Sequence, residues 1–244
     1  MIEFIKKRSD LGQWDPNLIL NDIQGLFLHY NTSWLVWQNA SQIACPGSEF
    51  NGSIVEDCNL TYAPHLDVNH PNLLWQYSGL GSGLGQYGLK VTDNDMYELI
   101  PFLHGTYLGG IIQNFQEIFG PVRARIQMRS VNRGLYWHAD PQRREAYHMA
   151  LWTNPGHMMV WSEDYWNWQT GFDPKLAKKD MRIHAKYVPL DGCMYEMRTD
   201  LFLHGVASIG IGWRAKGLTS RGHLSICPVD PNKSQLISCE EKIQ

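Results

Sequence analysis

The chain of 244 residues carries 10 Trp, 11 Tyr and 8 Phe but only 18% charged residues, with a formal net charge of -3. That balance excludes the global attraction that nucleic acid or an anionic membrane surface would require, and no run reaches the ~18 consecutive apolar residues of a membrane span. Met1 to Arg8 lacks the apolar core of a signal peptide, and the cysteines (Cys45, Cys58, Cys193, Cys227, Cys239) are odd in number without a Cys-x-x-Cys pair, so a cytoplasmic protein with reduced thiols is expected.

Residues 1 to about 60 alternate short apolar runs, such as Leu18-Ile19-Leu20, Leu26-Phe27-Leu28 and Trp34-Leu35-Val36-Trp37, with Asn, Gly, Ser and Asp. This pattern predicts short strands or irregular cover. From 61 to 95 the composition turns to Pro, Asn and Gly. The series Gly79 to Gly85 lacks the Gly-Lys-Ser/Thr ending of a phosphate loop and reads as a flexible loop. His65-Leu66-Asp67, with His70 nearby, has a spacing that metal sites use, but its neighbours Pro64, Asn69 and Pro71 form a turn context. A short helix is expected from Thr92 through Leu103. A longer one is expected from Tyr107 to Phe119, capped by Thr106, with Leu108, Ile111, Ile112, Phe115 and Ile118-Phe119 on one face and Gly120-Pro121 as the stop.

At Val122 the period becomes two. Val122, Ala124, Ile126 and Met128 alternate with Arg123, Arg125, Gln127 and Arg129, a half-buried strand. Strand segments recur at Tyr147 to Trp152, Met158 to Trp161, Cys193 to Met197, Leu201 to Ala207 and Arg221 to Ile226, separated by turn residues. Strand, turn, strand at this spacing is antiparallel all-β architecture. The aromatic and basic stretch 162 to 187 reads as a solvated insertion. Three segments result: 1–121 as cover of loops and packing helices within the same globule, 122–230 as the core, and 231–244 as a polar tail.

Tyr136-Trp137-His138-Ala139-Asp140 carries the chemistry. Residues two apart on an extended strand point to one face, so an imidazole and a carboxylate can converge. A second, distant His would complete a two-His-one-carboxylate set, which leaves coordination positions open and is the arrangement of non-haem Fe(II) oxygenases. His204, in a segment otherwise made of Leu, Phe and Val, is chosen as that residue. Arg221 on the next strand offers a guanidinium able to fork onto a carboxylate. Trp137, Trp152 and Trp161 serve equally as a cavity wall or as sheet core.

In order, Arg125 to Arg129, Gly134 to Asp140, His148-Met149-Ala150-Leu151-Trp152-Thr153-Asn154-Pro155, His204-Gly205-Val206 and Arg221-Gly222-His223-Leu224 resemble the motifs of the aspartyl/asparaginyl β-hydroxylase family. The resemblance spans about 122 to 228. It implies a mainly β fold, a double-stranded β-helix (jelly roll, cupin-like) with flanking helices, and an Fe(II)- and 2-oxoglutarate-dependent dioxygenase. Such an enzyme uses O2, releases succinate and CO2, and hydroxylates an amino-acid side chain, either peptidyl Asp/Asn or a free amino acid such as proline. The resemblance assigns the metal to His138, Asp140 and His204 and the cosubstrate to Arg221 and His148. Two departures stand out. Ala146 occupies a position where the family carries Arg, and the family's spacing after the last His points to Arg214 as an alternative to Arg221. Arg221 is preferred because it keeps the strand pattern. A jelly-roll binding protein without turnover, or a cupin-like metal enzyme of other chemistry, are the competing readings.

Overall fold

A computed structural model describes residues 3–31, 56–69, 73–75, 93–130, 135–140, 145–152, 157–165, 183–208 and 220–233. In chain order its elements are β1 (Ile5–Gln13), α1 (Pro16–His29), β2 (Glu56–Asn59), β3 (Thr61–Tyr62), β4 (Glu98–Leu99), α2 (Tyr107–Phe119), β5 (Val122–Ser130) and β6 (Leu135–His138). They continue with β7 (Ala146–Trp152), β8 (His157–Tyr165), β9 (Ile183–Lys186), β10 (Cys193–Met197), β11 (Phe202–Ser208) and β12 (Ser220–Pro228). The chain forms two compact units, one of residues 1–16 and 128–225, the other of 17–127 and 226–244. The Gly79–Gly85 series, Trp34–Trp37, His70, Arg214 and the middle of the 162–187 segment lie outside the described residues.

The first unit is built from two antiparallel sheets. One has the order β1-β10-β7-β12, followed by the end of β5; the other has the order β6-β11-β8-β9. From β5 to β12 the chain steps between the sheets at every connection except β8 to β9. Eight strands wound this way make a jelly roll, the double-stranded β-helix. Phe4, Ile5, Ala150, Tyr195 and Met197 from the first sheet form one buried cluster with Met159, Phe202 and Val206 from the second. That cluster is the core between the sheets. Within that order, pairing in register keeps the inward-facing residues of neighbouring strands on one layer.

β1 extends the first sheet by pairing with β10, with Ile5 opposite Met197 and Lys7 opposite Tyr195. The corner where β1 ends is held by Asp191. Its carboxylate accepts from Lys7 Nζ at 2.8 Å, Tyr195 Oη at 2.9 Å and the Cys193 amide at 3.1 Å. Burial works to raise its pKa, but these donors outweigh burial and hold the carboxyl below its ordinary value. The adjacent Gly192 has φ +70, and a side chain there would overlap the Trp14 carbonyl, so glycine is required on both counts. Both described ends of the expected insertion are strands: Ser162 to Tyr165 complete β8, and Ile183 to Lys186 form β9, with Trp161 opposite His184.

In the second unit, residues 16 to 29 form a helix where short strands were expected. Pro16 opens it, and Ile19, Ile23, Leu26 and Phe27 are its buried stripe at helical spacing. The apolar triplets had masked that period by placing exposed Leu18 and Leu28 beside buried neighbours. α2 has the expected boundaries. Thr106 Oγ1 accepts from the Gly109 amide at 3.0 Å, Asp22 Oδ2 accepts from the Leu108 amide at 2.7 Å, and Gly120 ends the helix at φ 78. Ile118 differs from expectation, being 51% exposed. The helix expected from Thr92 to Leu103 does not form. Asp93–Asp95 and Pro101–Leu103 are single 3-10 turns around β4, which pairs with β3; the Ile100 amide bonds to Leu60 and Pro101 cannot continue a helical ladder. Val122 to Ile126 of β5 are buried on both sides, including Arg123 and Arg125, rather than half-buried. No helix among the described residues is long and apolar enough to cross a membrane.

Candidate metal centre

The centre lies in the first unit, on one row of the second sheet. His138 at the end of β6 is opposite His204 on β11, His204 is opposite Trp161 on β8, and Trp161 is opposite His184 on β9. Directly opposed residues share a face, so four rings line up across the sheet. The rings of His138 and His204 are 4.2 Å apart, and those of Trp161 and His184 stack at 5.3 Å. Phe4 closes the row from the opposite sheet, stacked on Trp161 at 4.9 Å and 5.8 Å from the His204 ring.

Asp140 comes just past the end of β6. Its amide donates to the Thr199 carbonyl at 2.9 Å, which turns its carboxylate towards the two histidines. Oδ1 is 3.9 Å from His138 Nε2, and Oδ2 is 3.6 Å from His204 Nε2. All three ligand-type atoms lie within 4.8 Å of one another, and this is the one such group among the described residues. Atoms held about 2.1 Å from a shared ion stand about 3 to 4 Å apart, so a single ion would draw the set, spread over up to 4.8 Å, together by about an ångström.

A second observation supports this fit. His204 Nδ1 lies 3.1 Å from the Phe202 carbonyl. A carbonyl only accepts, so a hydrogen bond there places a proton on Nδ1 and leaves Nε2 as the ring atom that faces the Asp140 carboxylate. That nitrogen can meet the carboxylate through a shared proton or through a shared metal ion. Metal-binding histidines are oriented by such a bond from the other ring nitrogen. Two imidazoles and one carboxylate gathered on one side leave the other side open, the donor set of non-haem iron sites. His138 is the more accessible of the two imidazoles, its side chain 26% exposed against 4% for His204.

The cosubstrate candidates lie on the first sheet. Arg221, 5% exposed, opens β12, and its Nη1 donates to Met159 Sδ at 3.3 Å. Met159 is opposite Val206, two residues along β11 from His204. The guanidinium therefore enters the layer between the sheets close to the triad's row. His148 on β7 is buried, with its ring 6.0 Å from that of His223 on β12. Gly222, between Arg221 and His223, has no room for a side chain, because the Trp152 indole lies against it. Trp152 therefore covers β12, while Trp161 belongs to the aromatic row. The Trp137 side chain falls outside the described set.

The other His-x-Asp triplet is elsewhere in every sense. His65 and Asp67 are exposed in a turn, and Asp67 Oδ1 accepts from the Asn69 amide at 2.9 Å, an Asx-turn within its own backbone. Sequence reading missed Phe4, His184 and Met159. His184 sits in Ile183-His184-Ala185-Lys186, whose alternation signals a strand, but nothing short of the pairing with β8 brings it to Trp161.

No protein-family model and no curated protein matches the chain. Among solved structures it is similar to a 2OG-Fe(II) oxygenase family oxidoreductase from Burkholderia pseudomallei, at 14% identity over 79% of this chain and 76% of that one, TM-score 0.33. It is also similar to a Pseudomonas putida prolyl-4-hydroxylase, at 12% identity over 49% of this chain and 59% of that one, TM-score 0.29. A non-haem alpha-ketoglutarate-dependent epimerase from nogalamycin biosynthesis matches at 11% identity over 47% and 51%, TM-score 0.30. The chain thus spans little more than half the length of the last two. These likenesses are loose; the functional reading rests on the donor geometry of His138, Asp140 and His204.

Proposed function

We propose that the protein is an Fe(II)- and 2-oxoglutarate-dependent dioxygenase that hydroxylates an amino-acid side chain. The observation that carries this is the gathering of His138, Asp140 and His204, with the His204 ring turned so that Nε2 faces a carboxylate oxygen 3.6 Å away and a buried guanidinium entering the same interlayer space. In this reading His138, Asp140 and His204 hold Fe(II). The iron, with O2 and 2-oxoglutarate, supplies the oxidising power to functionalise an unactivated C–H bond and releases succinate and CO2.

The rest is the work of this chain. Arg221 binds the distal carboxylate of 2-oxoglutarate as a charge-assisted fork, and His148 supports it from the neighbouring strand. Burial of Arg221 makes that bond stronger than it would be in water. Met159 and Trp161 keep the layer around the keto acid apolar, and the more accessible His138 side admits the substrate. The amino-acid substrate, peptidyl Asp/Asn or a free amino acid such as proline, rests on the motif resemblance. A cytoplasmic setting suits the buried free thiols of Cys58, Cys193 and Cys227.

Adding 2-oxoglutarate to the anaerobic Fe(II)-loaded protein is expected to produce a weak visible charge-transfer band, and admission of air should yield succinate. Folded, iron-loaded protein that gives neither would sink the proposal.

A further inference from the structure

Two of the three metal-site residues are held by one segment that sequence patterning passed over. The segment from Arg198 to Phe202 joins β10 to β11: Arg198 to Leu201 form its turn and Phe202 is the first residue of β11. The Thr199 carbonyl takes the Asp140 amide at 2.9 Å, and the Phe202 carbonyl faces His204 Nδ1 at 3.1 Å. The placement of carboxylate and imidazole therefore depends on two carbonyls three residues apart, one in the turn and one at the start of β11.

Arg198 is the hub of that turn. Its amide donates to the Phe4 carbonyl at 3.0 Å, and its own carbonyl accepts from Leu201 at 3.2 Å and Phe202 at 3.3 Å. Its guanidinium forks onto Asp200, Nε to Oδ1 at 2.9 Å and Nη2 to Oδ2 at 2.8 Å. The Asp200 side chain is only 14% exposed and that of Arg198 27%, so the fork is partly shielded. Bidentate pairs fix orientation as well as supplying energy. The same hub bonds the backbone of Phe4, whose ring packs on Trp161, Phe202 and His204.

We propose that the Arg198–Asp200 fork is a positioning device for the metal centre: it locks the β10–β11 turn so that Thr199 and Phe202 hold Asp140 and His204 at ion-binding separation. This rests on the proposed metal site but concerns how the chain builds it. Neither residue touches the metal or substrate.

Amide hydrogen exchange of the metal-free protein and Co(II) titration of the same samples test it. In Asp200→Asn, protection of the Asp140 amide should fall about tenfold while amides within β10 and β11 keep theirs. Co(II) affinity should fall roughly 10- to 100-fold, the range for outer-shell partners of metal ligands, and the Co(II) visible spectrum should change. Arg198→Lys, which keeps the charge but loses the fork, should lie between wild type and Asp200→Asn, and serves alone if Asp200→Asn does not fold. Wild-type protection and affinity in both variants, or a uniform loss of protection across the sheet, overturns the proposal. Should wild type bind no Co(II) or Fe(II) while Asp140 protection still falls selectively, the positioning role stands and the iron reading fails.

Discussion

Two His-x-Asp triplets in one chain have opposite fates. In His65-Leu66-Asp67 the carboxylate is spent on its own turn, accepting from Asn69, and both polar side chains face solvent. In His138-Ala139-Asp140 the carboxylate is turned away from its own strand by a bond to Thr199 and meets His204, which comes from a strand far along the chain. The local spacing is the same. What separates them is a partner strand that supplies a second imidazole and a carbonyl to orient it, which no local pattern can provide.

The largest expected effect breaks the second triplet directly. His138→Ala or Asp140→Ala should abolish measurable Fe(II) binding, whereas His65→Ala and Asp67→Ala should leave it unchanged; isothermal titration of the four variants reads the contrast. Loss of binding in the 65–67 variants would reverse the comparison. Arg221→Ala should keep the iron but raise the 2-oxoglutarate needed for half-maximal succinate formation by about 30-fold or more, as expected for truncating one partner of a buried charge pair, worth ~2 kcal/mol or more. If Arg214→Ala has that effect instead, the cosubstrate arginine is the other one.

Smaller effects test the strand supports. Gly222→Ala should cost about 1 to 3 kcal/mol in urea unfolding, because the Trp152 ring fills the space where its Cβ would go; the same change at Gly110, which has nothing within 4 Å, should not destabilise. Smallest is the acid response at the β1 corner. Asp191 has a lowered folded pKa, so its stabilisation is present above the unfolded carboxylate value of about 3.9 and is lost as pH falls through the folded value. Asp191→Asn should flatten that part of the stability profile below about pH 4; an unchanged slope would mean that Lys7 and Tyr195 contribute nothing there.

Much of the fold was legible because its signals are local. The alternation of β5 and the strand-type residues of β7, β10, β11 and β12 between turn signals mark these segments as strands, and Thr106 with Gly120 marks both ends of α2. The failures are also local in origin. Leu18-Ile19-Leu20 reads as a strand until Ile23 and Phe27 are seen to share its buried side, and Asp93 to Leu103 has a good cap but is drawn into pairing with β3 by Thr61 and Leu60. Tertiary pairing outweighed a modest helix propensity there. β1 was unreadable as a sheet member, since Lys6, Lys7 and Arg8 hide its alternation and the acids that draw Lys7 and Arg8 onto β10 and its corner, Asp191 and Glu196, lie far along the chain.

By itself, then, the sequence determined which residues are candidates for the chemistry: a His-x-Asp at a strand end, a histidine in an apolar strand, an arginine near the start of another. Residue type and spacing suffice for that, because side-chain direction along a strand has a fixed period. Only the tertiary structure decided which of them meet. The register of β6, β11, β8 and β9 put His138, His204, Trp161 and His184 in one row, and the Arg198–Phe202 segment set where Asp140 and His204 point. Register depends on hydrogen bonds between segments far apart in the chain, so no window of sequence contains it.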